Sequence, residues 1–186
     1  IINTLVDKVK CDPALVEDVI MGCVSQVGEQ AINVARNAVL ASRLPESVPG
    51  TSVDRQCGSS QQALHFAAQA VMSGAMDIVI ASGVESMSRV PMGVSAMLPA
   101  KNGFGNYKSP RLEERYPHIQ FSQFMGAEMI AKKYDQTKDQ LDEFAYHSHK
   151  KAIAATESGA FKDEIVPIEI TLPTGEKAMH TVDEGM

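Results

Sequence analysis

The spacing of apolar and polar positions changes several times along the chain, and each change marks an element. Val16 to Val24 (VEDVIMGCV) is almost continuously apolar after two acidic residues and predicts a buried strand that contains Cys23. Glu29 to Leu40 (EQAINVARNAVL) carries apolar residues at helical spacing and predicts a helix ended by the Pro45 and Pro49 region. Ser47 to Arg55 (SVPGTSVDR) reads as turn residues followed by a short β-compatible stretch, whereas Ala63 to Met72 (ALHFAAQAVM) is rich in helix formers with a helical apolar period. Gly74 suits the close of that helix, and Asp77 to Ser82 (DIVIAS) has the near-continuous apolar character of a parallel strand covered on both faces. Strand, helix and strand in this order predict a layered α/β domain.

The regularity lapses from Arg89 to about Ser122, where Pro91, Pro99, Gly103, Gly105, Pro110 and Pro117 punctuate the chain. A loop of this length is usually functional or an interface, an exposed mobile linker being the plainer reading. Helical patterns return at Ala127 to Tyr134 and Lys138 to Ser158. Glu164 to Leu172 and Lys177 to Val182 then flank Pro173-Thr174-Gly175-Glu176 as a β-hairpin. There is no internal repeat and no low-complexity tract.

Composition narrows the function classes. The chain is 44% hydrophobic and 22% charged, with a formal charge of −6, ordinary values for a globular domain. No run approaches the ~20 apolar residues a membrane span needs, and acidic balance without a Lys/Arg-rich stretch argues against nucleic acid as the main partner. Three cysteines, an odd number, fit a reducing compartment better than a disulfide framework.

The strongest chemical feature is Arg55-Gln56-Cys57-Gly58-Ser59-Ser60, a cysteine set where an extended run meets a helix. Unpaired N–H groups and the dipole at a helix start favour negative charge, so the sulfur of Cys57 is expected to ionise readily and act as a nucleophile. The small residues after it leave room for a carbonyl, and the backbone N–H groups of Cys57 and Gly58 are candidates to support an oxyanion. The competing reading is an inert, packed thiol. For Cys23 that core reading is preferred. Glu85, in Gly83-Val84-Glu85-Ser86-Met87-Ser88 after the Asp77 to Ser82 strand, is a tempting base but reads better as a structural hydrogen-bond acceptor. His147 and His149, two residues apart on a helix, point away from each other, so no metal site is expected. Lys132, Lys133, Lys150 and Lys151 suit a solvated helix face better than a phosphate site.

The run VDRQCGSSQQALHFAAQAVMSGAMDIVIASGVESMSRVPM (Val53 to Met92) resembles the nucleophile segment of the thiolase family, the acetyl-CoA acetyltransferases and 3-ketoacyl-CoA thiolases. Val16 to Gly50, Phe124 to Tyr134 and Asp139 to Ile168 agree in order, so the resemblance covers nearly the whole chain. It implies a thiolase-like α-β-α domain, half of a five-layer αβαβα fold. Residues 1–87 would form an N-terminal domain lacking its first strand, and 88–186 an incomplete α+β loop domain that covers the active site and, in tetrameric members, carries an assembly loop. The C-terminal domain would be absent.

By that resemblance Cys57 takes an acyl group from an acyl-CoA, and a second acyl-CoA or free coenzyme A resolves the thioester. No cofactor is held covalently; acyl-CoA and coenzyme A are substrates. The complete protein would be a homodimer or homotetramer, cytoplasmic if bacterial, mitochondrial or peroxisomal if eukaryotic. The Gly-His-Pro, Cys-x-Gly-Gly-Gly and Asn-Glu-Ala-Phe segments that the family uses beside the nucleophile do not occur in these 186 residues. This chain is therefore expected to be part of a longer polypeptide and inactive alone.

Two positions depart from the family pattern. Members of the acetoacetyl type often have His-Met-Gly where this chain has Phe124-Met125-Gly126, so Met125 carries over as a substrate-channel residue while Phe124 replaces a hydrogen-bonding ring with an apolar one. Simple helix packing is the competing reading of Met125. Ser60 stands where glycine is commoner, which a helical backbone accepts. A ketosynthase-type condensing enzyme would surround its cysteine with A-C-S-S-S, and Gly58 speaks against it. A non-catalytic thiolase-like binding subunit is the other alternative, which an intact Cys57 disfavours.

Overall fold

The computed structural model describes residues 1–185. They form two compact units, Ile1–Leu112 and a second from Glu113 onward. The expected domain boundary lay at 87/88.

In the first unit, α1 (Ile2–Val9) and a short 3-10 turn lead into β1 (Asp18–Gly22). Then come α2 (Val34–Leu40), β2 (Gly50–Val53), α3 (Ser59–Met72) and β3 (Val79–Gly83). The three strands make one parallel sheet in the order β2-β1-β3, with Val19 opposite Gly50 on one side and Ile80 on the other. Every residue of β1 is buried, so its continuous apolar run reflects a central strand. The cover expected on both faces of β3 is not complete: only Ile80 is fully buried, because β3 is an edge strand.

Strand alternation splits the core in two. Val19 and Ile80 pack with Val6 of α1, Val39 of α2, Val16, Leu44 and Val48, while Ile20 packs with Ala63 and Ala67 of α3. Helices thus lie on both faces, the α-β-α layering expected.

Several expected boundaries shift. Cys23 lies just beyond β1 rather than within it. The helix expected from Glu29 starts only at Val34: Gly28–Gln30 is a separate 3-10 turn, and Asn33 caps α2 by accepting from the Arg36 N–H at 3.1 Å. The stretch from Arg89 to Ser122 is not irregular throughout, since α4 (Val94–Lys101) and α5 (Pro110–Arg115) form within it.

In the second unit, α6 (Gln123–Lys133) begins four residues before the expected start, because Ser122 caps it toward Met125 N–H. The helix α7 (Lys138–Glu157) matches its pattern and opens on a capping box between Thr137 and Gln140. The hairpin is present: β4 (Ile168–Thr171) pairs antiparallel with β5 (Lys177–His180) around Gly175 at φ +87°. Among the described residues no helix is long and apolar enough to cross a membrane.

Candidate active site

The chain leaves β2 at Val53 and turns sharply before α3, and the turn is built from side chains that pin backbone. Asp54 accepts the Gln56 N–H at 2.8 Å, and Gln56 adopts a left-handed backbone at φ +49°, a conformation that disfavours any residue with a Cβ. The Ser59 hydroxyl accepts from the Arg55 N–H at 2.9 Å and donates to the Gln56 carbonyl at 2.5 Å. Arg55 reaches on to the side-chain carbonyl of Gln62 in α3. These contacts hold a strained elbow, and Cys57 is the residue it presents, next to the Gly58 N-cap of α3.

Cys57 is exposed whereas Cys23 is buried, so the packed-thiol reading fits Cys23 and not Cys57. Burial pushes the Cys23 thiol up from its ordinary range, and the nearby Glu85 and Asp54 charges push it further, which keeps that sulfur protonated. Of the two N–H groups expected to face an oxyanion, that of Gly58 is committed to the Arg55 carbonyl at 3.0 Å. The Cys57 N–H has no acceptor among the described residues. Ser60 lies inside α3, so its helical backbone accepts a side chain as expected.

The strands bring two further loops to this point. A Cβ on Gly22 would overlap backbone of Ser59 and Ser60, and one on Gly83 would overlap the Ser60 hydroxyl, so glycines at the ends of β1 and β3 let the start of α3 sit against the sheet. The result is a cleft of about 380 Å³ at the C-terminal ends of the strands, where open α/β sheets gather function. Gln56, Cys57, Ser59 and Ser60 line it from the elbow, residues 22–25 from the end of β1 and the loop after it, and Gly83, Val84, Glu85, Met87 and Met92 from the end of β3 and the loop after it. The lining is mostly apolar.

Glu85 is an acceptor, as its surroundings in the sequence suggested. Its carboxylate takes the N–H of Val24 at 2.8 Å, the N–H of Ser25 at 3.3 Å and the amide of Gln30 at 3.0 Å. Burial pushes its carboxyl up, but these hydrogen bonds outweigh that and hold it below the usual carboxylate range. Gln30, which no pattern in the chain singles out, is buried and also bonds the Ser25 carbonyl and the Ser86 N–H. Phe124 and Met125 lie on α6 of the second unit and are both exposed. His147 stands 3.6 Å from Glu143 on α7, and no group of three or more His, Cys, Asp or Glu is placed to hold a metal among the described residues.

Comparison with known proteins bears on the family and the fold. The family model described as "Thiolase, N-terminal domain" matches residues 1–186. A steroid 3-ketoacyl-CoA thiolase of Mycobacterium tuberculosis is 44% identical over 97% of this chain, and a 3-ketoacyl-CoA thiolase of Bacillus subtilis is 38% identical over 92%. The crystal structure of the Bacillus anthracis acetyl-CoA acetyltransferase superimposes with a TM-score of 0.77 at 32% identity over 96% of this chain. In each case the match spans 44% to 45% of the other protein, so the chain corresponds to less than half the length of these relatives.

Proposed function

The chain belongs to the thiolase family, and from that premise we propose that the protein carrying it is an acyl-CoA thiolase whose nucleophile is Cys57. The observation that carries this reading is the exposed cysteine on a strained elbow at the mouth of an apolar cleft. Glu85 is committed to three donors and is not the base.

The first step exchanges like for like. The Cys57 thiolate attacks the thioester carbonyl of an acyl-CoA, the carbon–sulfur bond to coenzyme A breaks, and coenzyme A leaves as its thiolate, which takes up the proton that Cys57 gave up. The acyl group stays on Cys57 as a thioester, so the energy of the bond is kept. The Cys57 N–H is the donor we assign to the oxygen that gains charge in this step. For condensation, the α-carbon of a second acyl-CoA gives up a proton and attacks this thioester, a carbon–carbon bond forms and Cys57 leaves as its thiolate. For thiolysis the Cys57 thiolate instead attacks the 3-keto carbonyl of a 3-ketoacyl-CoA, the bond between C2 and C3 breaks, the departing acyl-CoA enolate takes up a proton, and the thiol of free coenzyme A then takes the acyl group and returns a proton to Cys57. The names of the relatives support thiolysis first. Met125 and Phe124 are proposed to contact the pantetheine arm, and assembly as a homodimer or homotetramer in the bacterial cytoplasm completes the reading.

Intact-mass measurement of the full-length gene product mixed with acetyl-CoA tests it. One acetyl group is expected on the peptide that contains Cys57, lost in Cys57→Ser. Absence of an adduct from the wild type across short and long acyl-CoA esters would overturn the assignment.

A further inference from the structure

The cleft has a wall whose rigidity comes from a residue that never lines it. Val24 and Ser25, in the loop after β1, and Val84 and Glu85, in the loop after β3, line the same cleft as Cys57. Ladder bonds reach only the first residue of each loop, Cys23 N–H to the Val53 carbonyl at 3.0 Å and Val84 N–H to the Gly22 carbonyl at 2.9 Å, so the residues that follow are fixed by something else. Gln30, from the 3-10 turn before α2, does so from behind. Its amide nitrogen donates to the Ser25 carbonyl and to Glu85, both at 3.0 Å, and its amide oxygen accepts the Ser86 N–H at 2.7 Å. Glu85 closes the circuit onto Val24 and Ser25 N–H. The amide nitrogen therefore bridges the two loops and the amide oxygen holds the second, on a residue that is only 5% exposed. Glu85 is exposed, so the buried member is Gln30; an amide whose two ends are satisfied fixes its surroundings, and removing its partners leaves a buried polar group unpaired.

Resting on the acyl-cysteine reading above, we propose that Gln30 and Glu85 form a clamp that positions the Val24–Ser25 and Val84 wall against the acyl group on Cys57, and so sets which acyl chains the cleft accepts. Gln30 is a positioning residue: it acts through the two loops and touches no substrate. A hydrophobic pocket discriminates between chains only as sharply as its walls are fixed. A wall free to move accommodates an extra methylene that a clamped wall rejects.

The test compares the full-length wild type with Gln30→Met, which keeps the side-chain length and removes both polar ends, and with Glu85→Gln, which keeps the shape and breaks the acceptor pattern. Acylation of Cys57 is followed across saturated acyl-CoA esters of increasing length, with the rate of Cys57 alkylation by iodoacetamide as a measure of the elbow alone. Both variants are expected to lose roughly tenfold in selectivity between the best and worst chain, the scale of one methylene in a fixed apolar pocket. KM for the preferred ester should rise more than kcat falls, and alkylation should stay close to wild type. A wild-type chain-length profile in Gln30→Met with the alkylation rate preserved would overturn the clamp, as would loss of alkylation in step with acylation in both variants, which marks a merely structural role. If the wild type itself takes no acyl group while Cys57 alkylates normally, the acyl-cysteine reading fails, and the clamp proposal falls with it.

Discussion

Ser59 shows how much of this site depends on single atoms. Its hydroxyl is engaged by the Arg55 N–H and the Gln56 carbonyl, and the side chain is almost fully enclosed, so one oxygen holds a left-handed residue in place ahead of the nucleophile. Glu85 and Glu17 do comparable work between strands: Glu17 accepts the N–H groups of Asp77 and Ile78 at the entry to β3. For Glu17 those backbone bonds lower the carboxyl against a smaller effect of burial; for Glu85 burial raises it and the bonds from Gln30, Val24 and Ser25 win. Both groups therefore titrate in the folded chain below their ordinary value of 4.5. Their contribution to stability is complete above that value and is lost as pH falls through the lower, folded value. Urea midpoints measured from about pH 6 down to about pH 3 should hold level and then drop, and the drop should be shallower in Glu85→Gln. Superimposable profiles would mean that the Glu85 carboxylate is not coupled to folding. The contrast between Cys57 and Gln30 shows what a sequence exposes at this scale. Cys57 was legible because its meaning lies in its neighbours in the chain, a turn before and a helix after. Gln30 was not, because its partners Glu85 and Ser86 are more than fifty residues away and an amide in a polar turn carries no local pattern.

Among the elements, α3 decides the geometry of the cleft, and its seat depends on two glycines. Gly22 has backbone of Ser59 and Ser60 where a Cβ would stand, and backbone yields less readily than the end of a side chain. Gly22→Ala is therefore expected to cost about 1–3 kcal/mol, the scale of overpacking in a close-fitted core. Calorimetry should show the lower Tm, and alkylation of Cys57 should change with it because the elbow moves with the helix. An unchanged Tm would show that α3 has freedom to shift that the contact denies. Element types were well marked by period: β1, α3, β3, α7 and the hairpin all form where the apolar spacing placed them. The misplaced starts have physical causes. Residues 29–33 keep a helical spacing, yet the backbone breaks there because Asn33 caps α2 and also donates to the Gly50 carbonyl at 2.7 Å. Near Ser122 the reverse holds, since a serine cap lets α6 begin before the apolar period becomes visible.

Taken whole, the first unit is a three-stranded sheet with both outer strands, β2 and β3, at an edge. Parallel sheets are ordinarily covered on both faces and seldom end so soon, and an exposed edge with apolar surroundings is a template for association. Beside β3 the surface is apolar over a groove of about 510 Å³, lined by Leu5 and Val9 of α1, Leu64 and Val71 of α3, and Val79 and Ala81 of the strand. Leu64 and Val71 are 58% and 46% exposed, which is costly for side chains of this size on one patch. Residues 1–186 produced by themselves are therefore expected to associate with rising concentration and to bind a hydrophobic dye, as sedimentation and fluorescence would record. Leu64→Lys with Val71→Lys should weaken association by at least about tenfold, since removing two apolar side chains from a contact forfeits roughly 1.5 kcal/mol or more. Both positions face outward on α3, so circular dichroism should be unchanged. If the double variant associates as strongly as the parent, the contact runs through the open β2 edge instead, and a lysine on that strand at Thr51, which is exposed, becomes the substitution that separates the two surfaces.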